Sequence, residues 1–266
     1  MGTLPKPRAF GDASARGGLS SRPMSVVALL LAAGRGERLG HELPKAFVPL
    51  AGRPLLLHAL EALAAAPEVD RVIPVVAAAE LPRLQALLAE WGPRPKLAGA
   101  VAGGAERQDS VWAGLEALPP RTSLVVVHDA ARALLRSAAV SRVVAAARRS
   151  GAAILAVPVS DTIKRVSAGR IVETPSRAEC WAAQTPQVFR REILCEALAK
   201  AASEGYLGTD DAELVERLGV TVEVVEGDID NFKLTHPEDL VLAERAVAER
   251  QLARPRQAVP RGEPGP

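Results

Sequence analysis

Between residues 24 and 251, short apolar runs alternate with longer stretches in which apolar residues recur every three or four positions. The runs Val26–Ala32, Arg71–Ala77, Lys96–Ala102, Ser123–His128, Ala152–Val157 and Thr221–Val225 are candidate strands. The stretches Pro54–Ala66, Glu80–Trp91, Arg107–Ala117, Ala138–Ser150, Arg191–Ser203, Thr209–Leu218 and His236–Ala248 are candidate helices. Strands that are apolar throughout, rather than alternating, are buried on both faces, and amphipathic helices between them supply the cover. The pattern predicts an α/β fold of three layers, with a mostly parallel twisted sheet between two layers of helices. Such sheets bind ligands outside the carboxyl ends of their strands, so functional residues are expected just after strands.

One segment interrupts the alternation. Residues 160–174 read Ser-Asp-Thr-Ile-Lys-Arg-Val-Ser-Ala-Gly-Arg-Ile-Val-Glu-Thr, two β-prone pieces around Ser-Ala-Gly. That is a hairpin signal, and it predicts a β-arm over about residues 159–176 that protrudes from the core. An arm with open edges needs cover, which suggests a contact with a second copy of the chain. Residues 1–23 and 252–266 are rich in Gly, Pro, Ser and Arg without periodicity, and are expected to lack fixed structure.

Composition narrows the function. With 48% hydrophobic and 24% charged residues, the chain falls near the soluble globular average. Aromatic residues are only 3%, too few for a platform that stacks bases, and a net charge of +2 is too small to coat nucleic acid. The apolar run Val26–Ala33 is too short to cross a bilayer, and no apolar stretch precedes Met24 to form a signal peptide. Cys180 and Cys195 have no zinc spacing and read as reduced core thiols, as in a cytoplasmic protein.

Five segments after predicted strands carry candidate chemistry. The first follows the first strand, as Gly34-Arg35-Gly36-Glu37-Arg38-Leu39-Gly40. Gly34 and Gly36 let backbone amides approach a phosphate. The spacing breaks the dinucleotide fingerprint at Leu39, and no Gly-Lys-Ser/Thr follows to make a P-loop. Arg38 and Lys45 instead supply two cations. His128-Asp129-Ala130-Ala131-Arg132 places a carboxylate suited to Mg²⁺ at a strand end. The segment from Gly227 to Lys233 adds Asp230 and a further cation, and Gly103-Gly104 with Ser110 suits the edge of a base. The hairpin region adds Thr162, Lys164, Arg177 and Thr185. Taken singly, each segment reads equally as a polar loop or a helix cap. His128 and His236 read as structural histidines, and no Gly-x-Ser-x-Gly elbow occurs.

Taken together and in order, these segments resemble the 2-C-methyl-D-erythritol 4-phosphate cytidylyltransferases of the non-mevalonate isoprenoid route. The motifs are Leu-Ala-Ala-Gly-Arg-Gly-Glu-Arg-Leu-Gly…Pro-Lys at 31–45, Gly-Gly-Ala-Glu-Arg-Gln-Asp-Ser-Val at 103–111 and His-Asp-Ala-Ala-Arg at 128–132. They continue with Val-Pro-Val-Ser-Asp-Thr-Ile-Lys at 157–164, Gln-Thr-Pro-Gln at 184–187 and Asp-Asn-Phe-Lys-Leu-Thr-His-Pro-Glu-Asp-Leu at 230–240. The first motif marks the wider sugar-nucleotidyltransferase class, while the Gly-Gly, Asp-Thr-Ile-Lys and Thr-Pro-Gln blocks are more specific. Arg35, Glu37 and Phe232 are small departures.

The resemblance implies a Rossmann-like nucleotidyltransferase fold and transfer of CMP from CTP to a sugar-alcohol phosphate, with release of pyrophosphate. It implies that Arg38 and Lys45 stabilise the triphosphate in the transition state, while Arg177 and Lys233 position the acceptor's phosphate. Gly34 and Gly36 would cradle phosphate, and Ala32, Ala33, Gly104 and Ser110 would frame the cytosine. Thr162, Arg132 and Thr185 would line the acceptor pocket, and Asp129 and Asp230 would lie near ribose and a Mg²⁺ or other divalent cation. Through a homodimer, Thr162, Lys164 and Arg177 would serve the partner's site. An acceptor such as ribitol 5-phosphate, or a non-catalytic nucleotide-binding regulator on the same fold, are the competing readings.

Overall fold

The computed structural model describes residues 25–34 and 36–252. Arg35 and the expected tails lie outside these, apart from Leu252, which closes the last helix. The strands are β1 (Ser25–Ala32), β2 (Pro49–Leu50), β3 (Arg53–Pro54), β4 (Arg71–Val76), β5 (Val101–Ala102), β6 (Thr122–Asp129), β7 (Ala152–Pro158), β8 (Arg165–Ser167), β9 (Arg170–Glu173), β10 (Trp181–Arg190) and β11 (Glu223–Glu226). The α-helices are α1 (Leu55–Ala65), α2 (Leu81–Trp91), α3 (Arg107–Glu116), α4 (Ser137–Ser150), α5 (Arg191–Glu204), α6 (Asp211–Glu216) and α7 (Pro237–Leu252).

Seven strands form the central sheet in the order β11-β7-β10-β6-β1-β4-β5. All neighbours are parallel except β10, which runs antiparallel to both β6 and β7. Strand β1 alternates between the two cores. Val26, Ala28, Leu30 and Ala32 pack with α1, α2 and α4, whereas Val27, Leu29 and Leu31 pack with α3, α5 and α6. This double burial is why the strand is apolar at every position. A third, smaller cluster roots the loops at the carboxyl ends. It joins Leu39, Val48, Leu50, Leu134 and Leu234 to Ala243 of α7.

Three expectations are corrected. The strand expected over Lys96–Ala102 is only Val101–Ala102 with an isolated bridge at Leu97, because this edge chain has one neighbour and leaves the ladder between them. Strand β10 is absent from the predicted elements, since its sequence is rich in Ala and Gln and holds a proline, which a central ladder does not accommodate. The register shifts between Ala183 and Gln187, so Pro186 falls in the irregularity and donates nothing to the ladder. Cys180 and Cys195 are unbonded as expected, but half-buried rather than core. The arm is present: β8 and β9 pair antiparallel on the excursion between β7 and β10.

Candidate active site

Strand order reverses at β1. From it the chain goes to β4 and β5 on one side, and returns to β6 on the other. The loops after β1 and β6 therefore diverge and leave a crevice between them. A cavity of about 260 Å³ opens there, closed on a third side by the loop from β5 into α3. Ten of the expected site residues line it: Ala32, Ala33, Gly34, Gly36, Arg38, Lys45, Gly104, Ser110, Asp129 and Lys233.

Lys45 begins a 3₁₀ turn, Lys45–Phe47, whose Ala46 and Phe47 are buried and anchor it. Its aliphatic stem crosses directly over Gly36. A Cβ at that glycine would lie 2.3 Å from Lys45 Cβ, and φ there is +71°, so both space and backbone require glycine. Burial pulls the Lys45 ammonium down to about 8 from 10.5, helped by Lys233 and Arg38 against the opposing pull of Asp129. Arg38, by contrast, is exposed at the rim.

Asp129 ends β6, and both its carboxylate oxygens are engaged. Arg107 Nε donates to Oδ1 at 3.2 Å, and Lys233 Nζ donates to Oδ2 at 2.8 Å. Burial opposes the charge of Asp129, but the neighbouring Arg107 and Lys233 outweigh it and hold the carboxyl well below the usual range. Lys233 is brought here because Leu234 N–H bonds Ala131 O at 2.9 Å, tying its segment to the loop after β6.

Arg107 also lines the cavity and is not among the residues singled out from the sequence. Its Nη2 donates to the fully buried Asp211 at 2.8 Å, so one guanidinium joins two carboxylates. A signal was available. Arg107 is the first residue of α3, where the helix dipole disfavours a cation, so an arginine there calls for nearby carboxylates.

At the far side Gly104 packs against α3, where a Cβ would lie 2.2 Å from Asp109 Cβ. Ser110 is buried, and its Oγ accepts the Gly104 N–H at 3.2 Å and donates to Glu106 O at 3.3 Å. The hydroxyl thus shapes the glycine turn from within, and Gly104 and Ala105 of that turn line the cavity.

The remaining expected residues do not line this cavity. Arg132 straps two segments together, donating to Asn231 O at 2.8 Å and Ala183 O at 3.1 Å. Thr185 is buried, with its hydroxyl bonded to the frame rather than turned to a ligand. Its partner His128 is fully buried, and burial lowers the imidazole to about 4, leaving it neutral at neutral pH. Asp230 accepts from Arg136 and Arg250, each at 3.2 Å, and is not brought to Asp129. Thr162 and Lys164 are exposed on the arm, where Lys164 Nζ bonds Thr174 Oγ1 at 2.9 Å. At the arm's foot, exposed Arg177 donates to Ser160 O at 3.0 Å.

A small crevice lined by Arg38, Lys45, Arg107 and Lys233, with Asp129 paired to the last two, suits a polyphosphate joined to a base. Among its described lining residues, Ser110 has the only hydroxyl, thiol or imidazole, and that hydroxyl is engaged with Gly104 N–H and Glu106 O. Comparison with known proteins agrees with this. The family model for IspD, 2-C-methyl-D-erythritol 4-phosphate cytidylyltransferase, matches residues 26–249. A relative of that name from Symbiobacterium thermophilum is 47% identical over 228 residues, covering 85% of this chain and 94% of its own length. One from Desulforamulus reducens is 43% identical over 227 residues, covering 85% and 97%. Among solved structures, the 2-C-methyl-D-erythritol 4-phosphate cytidylyltransferase from Thermus thermophilus superposes with a TM-score of 0.66 at 37% identity, covering 85% of this chain and all of its own. The Anaerococcus prevotii 4-diphosphocytidyl-2C-methyl-D-erythritol synthase gives a TM-score of 0.77 at 27% identity, covering 85% and 97%. With the crevice, its cations and these matches in hand, the chain belongs to the 2-C-methyl-D-erythritol 4-phosphate cytidylyltransferase family and is a nucleotidyltransferase.

Proposed function

We propose that this chain transfers CMP from CTP to 2-C-methyl-D-erythritol 4-phosphate, releasing pyrophosphate and forming 4-diphosphocytidyl-2-C-methyl-D-erythritol. The observation that carries the reading is the crevice itself, which gathers four cations while its one lining hydroxyl among the described residues, that of Ser110, is held in the glycine turn. A phosphate monoester is already an oxyanion at neutral pH, so it attacks the α-phosphorus without a general base. The obstacle is bringing two polyanions together, since like unit charges at 4 Å repel by roughly 1–4 kcal/mol depending on the local dielectric. Fixed cations remove that repulsion, and those already in place need no rearrangement as charge shifts onto the leaving pyrophosphate.

In this reading Lys45 and Arg38 face the triphosphate, and Ala32, Ala33, Gly104 and the glycine backbone at Gly34 and Gly36 frame the nucleotide. Lys233 lies where the two phosphates meet. A divalent cation, Mg²⁺ for instance, fits Asp129, because magnesium commonly takes one or two carboxylates and completes its shell with substrate phosphate and water. When bound it would add positive charge at the transferring phosphate. Asp230, held by two arginines, is better read as a brace for α7.

The arm carries the acceptor half. Val166, Ile171 and Val172 are exposed on it at 57%, 62% and 48%, more apolar surface than a free hairpin tolerates in water. A homodimer that buries this surface brings Thr162, Lys164 and Arg177 toward a partner's crevice. A cytoplasmic location fits the two unbonded thiols, and no helix among the described residues is long and apolar enough to cross a membrane. The test uses CTP labelled at the α-phosphorus. Label recovered in an acceptor-linked diphosphate supports the reading, and label left in CMP or CDP, as attack at the β- or γ-phosphorus would give, contradicts it.

A further inference from the structure

Beside the crevice, but not lining it, is a buried polar chain with no part in the reaction as proposed. His128 stands one residue before Asp129 on β6 and is fully buried. Its Nδ1 lies 2.9 Å from Thr185 Oγ1, and its Nε2 lies 3.2 Å from Arg132 O. A carbonyl oxygen only accepts, so Nε2 carries the proton. In that tautomer Nδ1 carries a lone pair, and the Thr185 hydroxyl, 2.9 Å away, donates to it. The same hydroxyl accepts the Asp129 N–H at 3.0 Å. Every bond in the series therefore has one direction: Asp129 N–H to Thr185, Thr185 O–H to His128, His128 N–H to Arg132.

The series begins at the amide of Asp129 and ends at the carbonyl of Arg132, clamping both ends of the turn that these residues enclose. Three further bonds attach the same turn. Arg132 N–H reaches Asp129 O at 2.9 Å, Ala130 N–H reaches Leu31 O at 2.9 Å, and Leu234 N–H reaches Ala131 O at 2.9 Å. The clamped turn thus sets the position of Asp129, of the crevice wall at Ala130 and Ala131, and of the Lys233 segment docked on it. We infer that His128 is a positioning residue, a single-tautomer imidazole that acts through Thr185 to hold Asp129 where it meets Lys233 and Arg107. Thr185 is part of this frame. The role in turnover rests on the cytidylyl-transfer reading, whereas the tautomer does not.

The test has two arms. In the first, nitrogen-15 NMR of the wild-type protein, with His128→Gln to assign the signal, reads the ring directly. A protonated Nε2 with an unprotonated Nδ1 at neutral pH is expected. A ring with its proton on Nδ1 and a bare Nε2 overturns the proposal and needs no activity to be seen. In the second, Thr185→Val and His128→Leu are compared singly and together, with melting temperatures to establish folding. Each single change is expected to lower kcat roughly 10–100-fold, the scale for losing a group that orients a site ligand. The double variant should be no slower than the slower single one, and Thr185→Ser should recover most of the rate. Losses that multiply in the double variant, or a folded Thr185→Val with wild-type kcat, overturn the positioning role. A wild-type protein that shows the tautomer but no transfer faults the proposed function instead.

Discussion

Lys45 owes its place to a residue with no side chain. Its stem occupies the space a Cβ on Gly36 would fill, and its ammonium is half-desolvated among other cations. Two outcomes follow at this scale. Lys45→Ala should cut kcat by roughly 10²–10³, the scale for losing one preorganised electrostatic donor, as read by steady-state pyrophosphate release. The second concerns pH. Because the ammonium sits near 8 in the free protein, CTP binds best where Lys45 is charged, and affinity should fall as pH rises through about 8. Calorimetry across that range checks this, and Lys45→Arg, which stays charged, should flatten the slope. The cations Arg38, Lys45 and Lys233 can be read from the sequence because each follows a strand or a glycine turn. Arg107 is harder to read, because its one signal, a cation at the start of α3, names no partner. Its role shows only when Asp129 and Asp211, far along the chain, are found on either side of it.

Among the elements, those that pack on both faces were legible. Strands β1, β4, β6 and β7 are uniformly apolar, and α1, α4 and α5 carry apolar stripes, so burial wrote itself into the pattern. Strand β10 could not be read this way, because small residues and a proline sit at its bulge and its placement between β6 and β7 comes from the sheet as a whole. The arm was legible from two β-prone pieces around its Ser-Ala-Gly turn, although what covers it was not. Arg177 at the foot of the arm gives the prediction for this scale. In Arg177→Ala the KM for the acceptor should rise roughly 10–100-fold, the equivalent of about 1.5–3 kcal/mol for one charge-assisted hydrogen bond. Its affinity for CTP should stay the same, and a loss confined to CTP binding would remove Arg177 from the acceptor half.

Taken whole, the molecule divides its labour. The sheet and its two cores hold the crevice, the small cluster beneath α7 fixes the loops, and the arm extends away from both. In the proposed homodimer the arm contributes little to the stability of one chain and much to assembly. Ile171→Asp should therefore leave the fold intact but weaken self-association about 100-fold or more, from roughly 3 kcal/mol for one uncompensated buried charge. Sedimentation of the variant beside the wild type reads this, and unchanged association would remove the arm from the interface. The central claim is the reaction itself, and it is tested most directly by pyrophosphate release from CTP and Mg²⁺ with each acceptor in turn. The account predicts rapid release with 2-C-methyl-D-erythritol 4-phosphate and far slower release with ribitol 5-phosphate. Equal or faster release with ribitol 5-phosphate, or none with either, would contradict it.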